Sequence, residues 1–295
     1  MTDKDVKKVE KGIQKIQEQL QALAEYLNPE AQAKQNERIV VYASTANQFD
    51  KMETAAKSLL LSNDVDHVYF IIEEDEYPNK LPDKITPITV KQEDFFCSGG
   101  ANMESYWTWI AMTRLALHKI LPSHNRVLWL DTDTLVVDDI SMLFERDISG
   151  HYFGAVEESD VVTEYRYMMR NRNTAEITVR TNGIVLYGGY YNSGVLICNL
   201  KALRNGKGDE LLRFVNTTKL TNPDQDAINI CCRGKILTLP VEYNSAPWTD
   251  TTNNPKIIHV SYTKHHERKQ LFENYGHLDW EWVMEQNERR RKNDI

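Results

Sequence analysis

At 295 residues the chain is long enough to bury a substantial core, in one large α/β domain or two small ones. Its 41% hydrophobic and 26% charged residues exclude wholesale disorder and fibrous repeats, and its net charge of -8 (35 basic against 43 acidic residues) argues against a general nucleic-acid binder. The first residues carry no signal-peptide core and no stretch approaches the ~20 apolar residues of a membrane span, so a cytoplasmic location is expected.

From Val6 the apolar positions Val6, Val9, Ile13, Ile16, Leu20, Leu23 and Leu27 step by three and four, the seam of an amphipathic or coiled-coil helix that Asn28-Pro29 stops. Docking on its own domain and self-association into a homo-oligomer are both open to it. A polar linker from Glu30 to Glu37 follows, so residues 1–37 are separated from a domain over 38–295. There the rhythm becomes strand and crossover helix. RIVVYA (38–43) predicts a first strand, Met52 to Leu61 its return helix, HVYFIIE (67–73) the next strand and KITPITV a third. A long helix is expected from Tyr106-Trp107 to Leu121, then a buried strand RVLWL (126–130) ending at Asp131. YFGAVEE, GVLICNL, KILTLP and KIIHV supply later strands, with a helix from Asp224 to about Cys232. Glu164 to Tyr190 fits no clean period and reads as a mobile excursion. This order predicts a single Rossmann-like nucleotide-binding α/β domain. The cysteines Cys97, Cys198, Cys231 and Cys232 show no CxxC spacing, so no cysteine zinc site is expected.

The string VLWLDTDTLVV puts Asp131 and Asp133 two apart at the carboxyl end of an apolar strand. In an extended chain such residues face one side, so both carboxylates can meet one cation, and that end of a parallel strand is where open α/β sheets bind ligands. Oxygen ligands suit Mg²⁺ or Mn²⁺. By itself the pair also reads as two loop-capping aspartates. A haloacid-dehalogenase phosphatase or phosphotransferase carries the same hhhhDxDx string, with Asp131 as nucleophile, but on the first strand of its domain; here some strand–helix pattern precedes it.

Read together, IVVYAS with Asn47 behind it, LDTDTLV, YYNSGVLICNL, NPDQDAIN and IIHV resemble glycosyltransferase family 8, the group of glycogenin and the bacterial lipopolysaccharide galactosyl- and glucosyltransferases, over about residues 38 to 264. The resemblance implies a GT-A type fold and retaining, metal-dependent transfer of glucose or galactose from a UDP-sugar to a saccharide, glycolipid or protein acceptor. It implies that Asp131, Asp133 and His259 hold Mn²⁺ (or Mg²⁺). Arg114, on the helix before the DxD strand, matches a donor-contacting arginine. Asp224 and Gln225 match the positions nearest the reacting sugar carbon, Gln225 beneath it and Asp224 accepting bonds from sugar hydroxyls. Asn192, Gly194 and Glu158 match donor-sugar contacts, Thr132 and Ala43 line the donor, and Lys264 matches a phosphate-binding lysine.

The chain departs from the family twice. His259 and Lys264 are five apart rather than six and lack the following Pro-Trp, and Thr45 stands where the family has a base-contacting Asp. Without the resemblance, His259 reads as a structural histidine, Lys264 as a solvated surface residue and Asp224 as a helix N-cap. Arg166, Arg170, Arg172 and Arg180 among Tyr165, Tyr167 and Tyr187 suit a saccharide or anionic acceptor, or simply a solvated face. Trp280, Trp282 and Arg289-Arg290-Arg291-Lys292 form a basic, aromatic tail suited to weak contact with an anionic membrane surface. A non-catalytic nucleotide-sugar-binding protein is a further alternative.

Overall fold

The computed structural model describes residues 37–103, 108–158, 168–171, 176–179, 184–187, 189–245, 252–260 and 265–293, with backbone alone for the segments within 168–187 and for 265–268. Contacts divide the chain at Glu37/Arg38, and the heptad helix expected over residues 6–27 lies outside the described residues.

The strands, in chain order, are β1 (Ile39–Ser44), β2 (His67–Ile72), β3 (Ile85–Thr89), β4 (Val127–Leu130), β5 (Thr134–Val136), β6 (Phe153–Glu157), β7 (Met168–Asn171), β8 (Glu176–Val179), β9 (Ile184–Tyr187), β10 (Tyr191–Cys198), β11 (Ile236–Leu239) and β12 (Ile257–His259). Seven of them make one sheet in the order β11-β6-β10-β4-β1-β2-β3. Parallel pairing joins β4, β1, β2 and β3, and also β6 and β11. β10 runs antiparallel to both its neighbours. The start of β10 therefore reaches the same sheet edge as the carboxyl ends of β1, β4 and β6.

Strands β1 and β4 read as unbroken apolar runs because both faces of the sheet are covered. Val40, Tyr42, Leu128 and Leu130 face one core, while Ile39, Val41, Val127 and Trp129 face the other. On the first side lies helix α1 (Phe49–Ser62), which buries Met52, Ala55, Ala56, Leu59 and Leu60, a stripe with helical spacing. On the second lie α2 (Gly208–Thr217) and α3 (Pro223–Cys231), through Leu211, Val215, Ala227 and Ile228. Burying one such aliphatic side chain contributes roughly 1.5–3 kcal/mol.

Two expectations are corrected. The long helix to Leu121 is instead a 3₁₀ segment, Trp109–Leu115, followed by one short α-helical turn, Leu117–Ile120; residues 104–107 are not described. Local bonds favour the tighter winding: Thr113 Oγ1 donates to the Ile110 carbonyl (2.6 Å) and Arg114 Nε to the Ala111 carbonyl (2.8 Å), both three residues back. The aperiodic stretch 164–190 contains an antiparallel sheet in the order β7-β8-β9. Its runs ITV and IVLY are β-branched and too short to show a period against their polar flanks. This excursion leaves after Glu158 and returns at Tyr190, and its ends are clasped by Glu158 N donating to the Tyr190 carbonyl at 2.7 Å.

Helices α4 (His265–Gly276) and α5 (Trp280–Asn293) both pack on α1. Trp280 does not lie free: its Nε1 donates to Glu53 Oε2 (2.9 Å), and Lys57 Nζ sits 5.0 Å from the ring centroid. Trp282 stays 46% exposed. Asn287, buried, donates to the carbonyls of Leu60 (2.7 Å) and Asn63 (2.8 Å) and so closes the end of α1. No helix among the described residues is long and apolar enough to cross a membrane.

Candidate active site

β4 stops at Leu130, and the DxD residues do not continue it. Asp131 N bonds the Gly194 carbonyl (2.8 Å), after which the chain turns, with Thr134 N and Oγ1 both donating to the Asp131 carbonyl at 3.0 and 2.7 Å. The two carboxylates thus converge through a turn rather than through strand pleating. β5 leaves this turn and pairs antiparallel with β12, His259 opposite Thr134, and Val260 N donates to the Asp133 carbonyl (2.9 Å). That pairing brings His259 Nε2 to 3.2 Å from Asp133 Oδ1. One ligand atom from each of Asp131, Asp133 and His259 lies within 4.8 Å of the others. Two carboxylate oxygens and an imidazole nitrogen form a donor set that fits a divalent cation while leaving positions for water and phosphate oxygen.

Charge balance here depends on Arg114, which is 3% exposed. Its Nη2 meets Asp131 Oδ1 (2.7 Å), its Nε meets Asp224 Oδ2 (3.1 Å) and its Nη1 donates to the Ser193 carbonyl. The guanidinium lies over Trp129, 4.7 Å from the ring centroid, and Trp129 Nε1 donates to Asp131 Oδ1 (2.8 Å). Burial pushes the Asp131 carboxyl up and the charge of Asp133 adds to this, against the pull of Arg114 and His259. Burial works against a charged His259, yet the Asp133 carboxylate, by charge and hydrogen bond, and Asp131 outweigh it, and the imidazole holds its proton above its ordinary range.

Beyond the arginine, α3 is entered from Asn222, with Pro223 opening its first turn. Asp226 closes that turn, its Oδ2 accepting from Thr221 N (3.1 Å) and Asn222 N (3.0 Å). Asp224 is therefore not the cap. It points at Arg114 and takes a bond from Ser193 Oγ (2.8 Å). Gln225 Oε1 accepts from Ser193 N (2.9 Å) and its Nε2 donates to Glu158 Oε1 (3.2 Å). A register shift in β10 between Tyr191 and Leu196 turns Asn192-Ser193-Gly194 toward these groups.

Compared with known proteins, residues 39–271 match the profile of glycosyltransferase family 8. The chain belongs to glycosyltransferase family 8. It is 25% identical over 237 residues to the lipopolysaccharide 1,2-glucosyltransferase of Escherichia coli K12, covering 76% of this chain and 67% of that one. It is 23% identical over 211 residues to general stress protein A of Bacillus subtilis 168, with 61% and 69% covered. Its fold matches galactosyltransferase LgtC in complex with donor and acceptor sugar analogs (TM-score 0.57, 19% identity, 83% of this chain and 98% of that one). It also matches the bifunctional glycosyltransferase WbbM (TM-score 0.61, 16% identity, 85% of this chain), of which it spans about half, 51%. As a family 8 member the chain is a glycosyltransferase of GT-A type fold, and the phosphotransferase reading of Asp131 gives way.

Of the residues that the family pattern singles out, Ala43, Thr45, Arg114, Asp131, Thr132, Asp133, Asn192, Gly194, Asp224, Gln225 and His259 line one cleft at the sheet edge. Asn47 is exposed and does not line the cleft; its Oδ1 accepts from Thr45 Oγ1 at 2.5 Å. Glu158 reaches the site indirectly, through Asn192 Nδ2 (2.9 Å) and Gln225. Lys264 lies outside the described residues, as do Arg166, Arg172, Arg180, Tyr165 and Tyr167; Arg170 and Tyr187 are described by backbone alone. Sequence reasoning passed over Trp129, Ser193 and Asn244. Trp129 was detectable as the residue two before Asp131 on one face of β4, and Ser193 sits inside the YYNSG motif. Asn244 has no motif: its Oδ1 lies 2.9 Å from His259 Nδ1 only because the fold brings them together.

Proposed function

We propose that this family 8 chain is a retaining hexosyltransferase that moves glucose or galactose from a UDP-sugar to a carbohydrate or glycoconjugate acceptor. The observation that carries this reading is the convergence of Asp131, Asp133 and His259 beside Arg114, Asp224 and Gln225 in one cleft. The three ligands would hold Mn²⁺ or Mg²⁺, which when bound supplies Lewis-acid stabilisation of the departing diphosphate. Ala43, Thr45 and Asn47, at the end of β1, suit the nucleoside, and Thr45 sets this chain's base contact apart from the family's Asp. Asp224 and Asn192 suit the sugar hydroxyls, with Gly194 and Thr132 along the donor. Arg114 holds Asp131 and Asp224 in place and adds positive charge near the diphosphate. Lys264 remains the candidate phosphate-binding cation.

Gln225 is a poor nucleophile, and its Oε1 already accepts from Ser193 N (2.9 Å). This favours same-face substitution, in which the leaving phosphate oxygen takes the acceptor's proton. The residues after Glu158 suit acceptor binding, and any weak membrane contact of the tail falls to the exposed Trp282 and its basic neighbours. A cytoplasmic protein that self-associates through residues 6–27 fits the sequence.

The test is hydrolysis of UDP-glucose and UDP-galactose with and without Mn²⁺. Turnover should require the metal and fall at least about 100-fold in Asp133→Ala, the order expected when metal stabilisation worth several kcal/mol is lost. UDP uptake without turnover would favour a binding protein, and an inverted product linkage by NMR would refute the same-face route.

A further inference from the structure

Asn244 stands in a short loop strapped to β12. Ser245 N donates to the Ile257 carbonyl (2.9 Å), and His259 N donates to the Ser245 carbonyl (2.9 Å). Its amide bridges two side chains of the cleft. Oδ1 is 2.9 Å from His259 Nδ1, and Nδ2 donates to Asn192 Oδ1 at 2.8 Å. Asn192 Oδ1 also accepts from Gly194 N (2.8 Å), and Asn192 Nδ2 donates to Glu158 Oε1 (2.9 Å).

An amide has one accepting and one donating end, so two in series can in principle face either way. The ends of this chain remove the choice. A backbone N–H only donates, so Asn192 must present oxygen to Gly194. Its nitrogen then donates to Glu158 Oε1. Facing an oxygen of Asn192, Asn244 must present nitrogen there and turn its own oxygen to His259. The imidazole therefore keeps hydrogen on Nδ1, and Nε2 is the atom aimed at Asp133 and the space between the ligands.

We infer that Asn244 is a positioning residue for the metal centre. It fixes the tautomer and ring orientation of His259 so that Nε2 is the coordinating atom, and through Asn192 it ties that ligand to Glu158 at the sugar end of the cleft. This rests on the metal-site reading above and adds to it a residue that touches neither the cation nor the donor. Polar partners of ligating histidines act in this way: they raise ligand basicity and hold the ring, and their loss weakens metal binding about 10–100-fold.

The test compares the full chain with Asn244→Leu, which cannot accept from Nδ1–H, and Asn244→Asp, which can. Calorimetric titration of Mn²⁺ with UDP present should show binding about 10–100-fold weaker in the leucine variant. The aspartate variant should recover part of the loss, its second oxygen opposing Asn192 Oδ1. Asn244→Ala, which removes the amide without adding bulk, gives the same comparison should the leucine not be accommodated. In metal-free protein at alkaline pH, ¹⁵N shifts of the His259 ring should report a larger share of hydrogen on Nδ1 in the wild type than in the leucine or alanine variant, where the Asp133 carboxylate is the acceptor left to the ring and draws the hydrogen to Nε2. Unchanged Mn²⁺ affinity with an unchanged tautomer in those variants overturns the inference alone. A wild type that takes up no Mn²⁺ overturns the metal-site reading and the inference with it.

Discussion

Gly194 leaves no room for a side chain. A Cβ there would lie 2.2 Å from His259 Cε1 and 2.7 Å from its Nδ1, so the glycine lets strand β10 pass against the imidazole. Gly194→Ala should push the ring away from Asp133 and weaken Mn²⁺ binding about 10–100-fold, comparable with losing a partner that orients the ligand, while circular dichroism stays native. Arg114 makes the opposite point. Two carboxylates depend on it, and its own proton is held more firmly than usual, since the charges of Asp131 and Asp224 outweigh burial. Arg114→Met takes the shared guanidinium away from both acids and leaves Asp224 without its ion-pair partner. Urea unfolding of the metal-free protein at neutral pH should show a loss of about 3–5 kcal/mol, the range for breaking a buried pair from one side.

Among elements, those that bury both faces or one regular stripe were legible in the sequence. β1, β2, β4 and α1 declare themselves through unbroken apolar runs or through Met52, Ala55, Ala56, Leu59 and Leu60. Elements shaped by local side-chain bonds were not legible. Thr113 and Arg114 bonding back to the previous turn cannot be told from ordinary helix by periodicity, and the Asp131–Thr134 turn looks like more strand. The end of α1 is a further case, because its carbonyls are capped by Asn287, a residue far along the chain on α5. Asn287→Ala leaves the Leu60 and Asn63 carbonyls without that partner in a buried place. We expect a loss of about 2 kcal/mol in urea unfolding, within the cost of unsatisfied buried polar groups, and a tail that is cleaved sooner by trypsin.

Across the whole molecule, one reversed strand explains why the site was only partly readable. The DxD pair, the YYNSG turn and the NPDQD helix start are far apart in sequence, and β10 running against β4 and β6 brings them to a single sheet edge. Motifs carry their residue types, so spacing and family pattern single out Asp131, Asp133, Asp224 and Gln225, which the fold brings to one cleft. Partners such as Asn244 arise from topology and are not singled out.

The clasp between Glu158 and Tyr190 has its own consequence. Because the bond at 2.7 Å fastens the excursion where it departs and where it comes back, the stretch in between resembles an interchangeable tool held in a chuck. Replacing residues 160–188 with a short Gly-Ser bridge should leave Mn²⁺-dependent UDP-sugar hydrolysis within a few-fold of normal and abolish delivery to acceptor, measured by product chromatography. Loss of acceptor transfer with the hydrolysis intact would make the stretch between the two clasped ends a part exchangeable without rebuilding the metal centre.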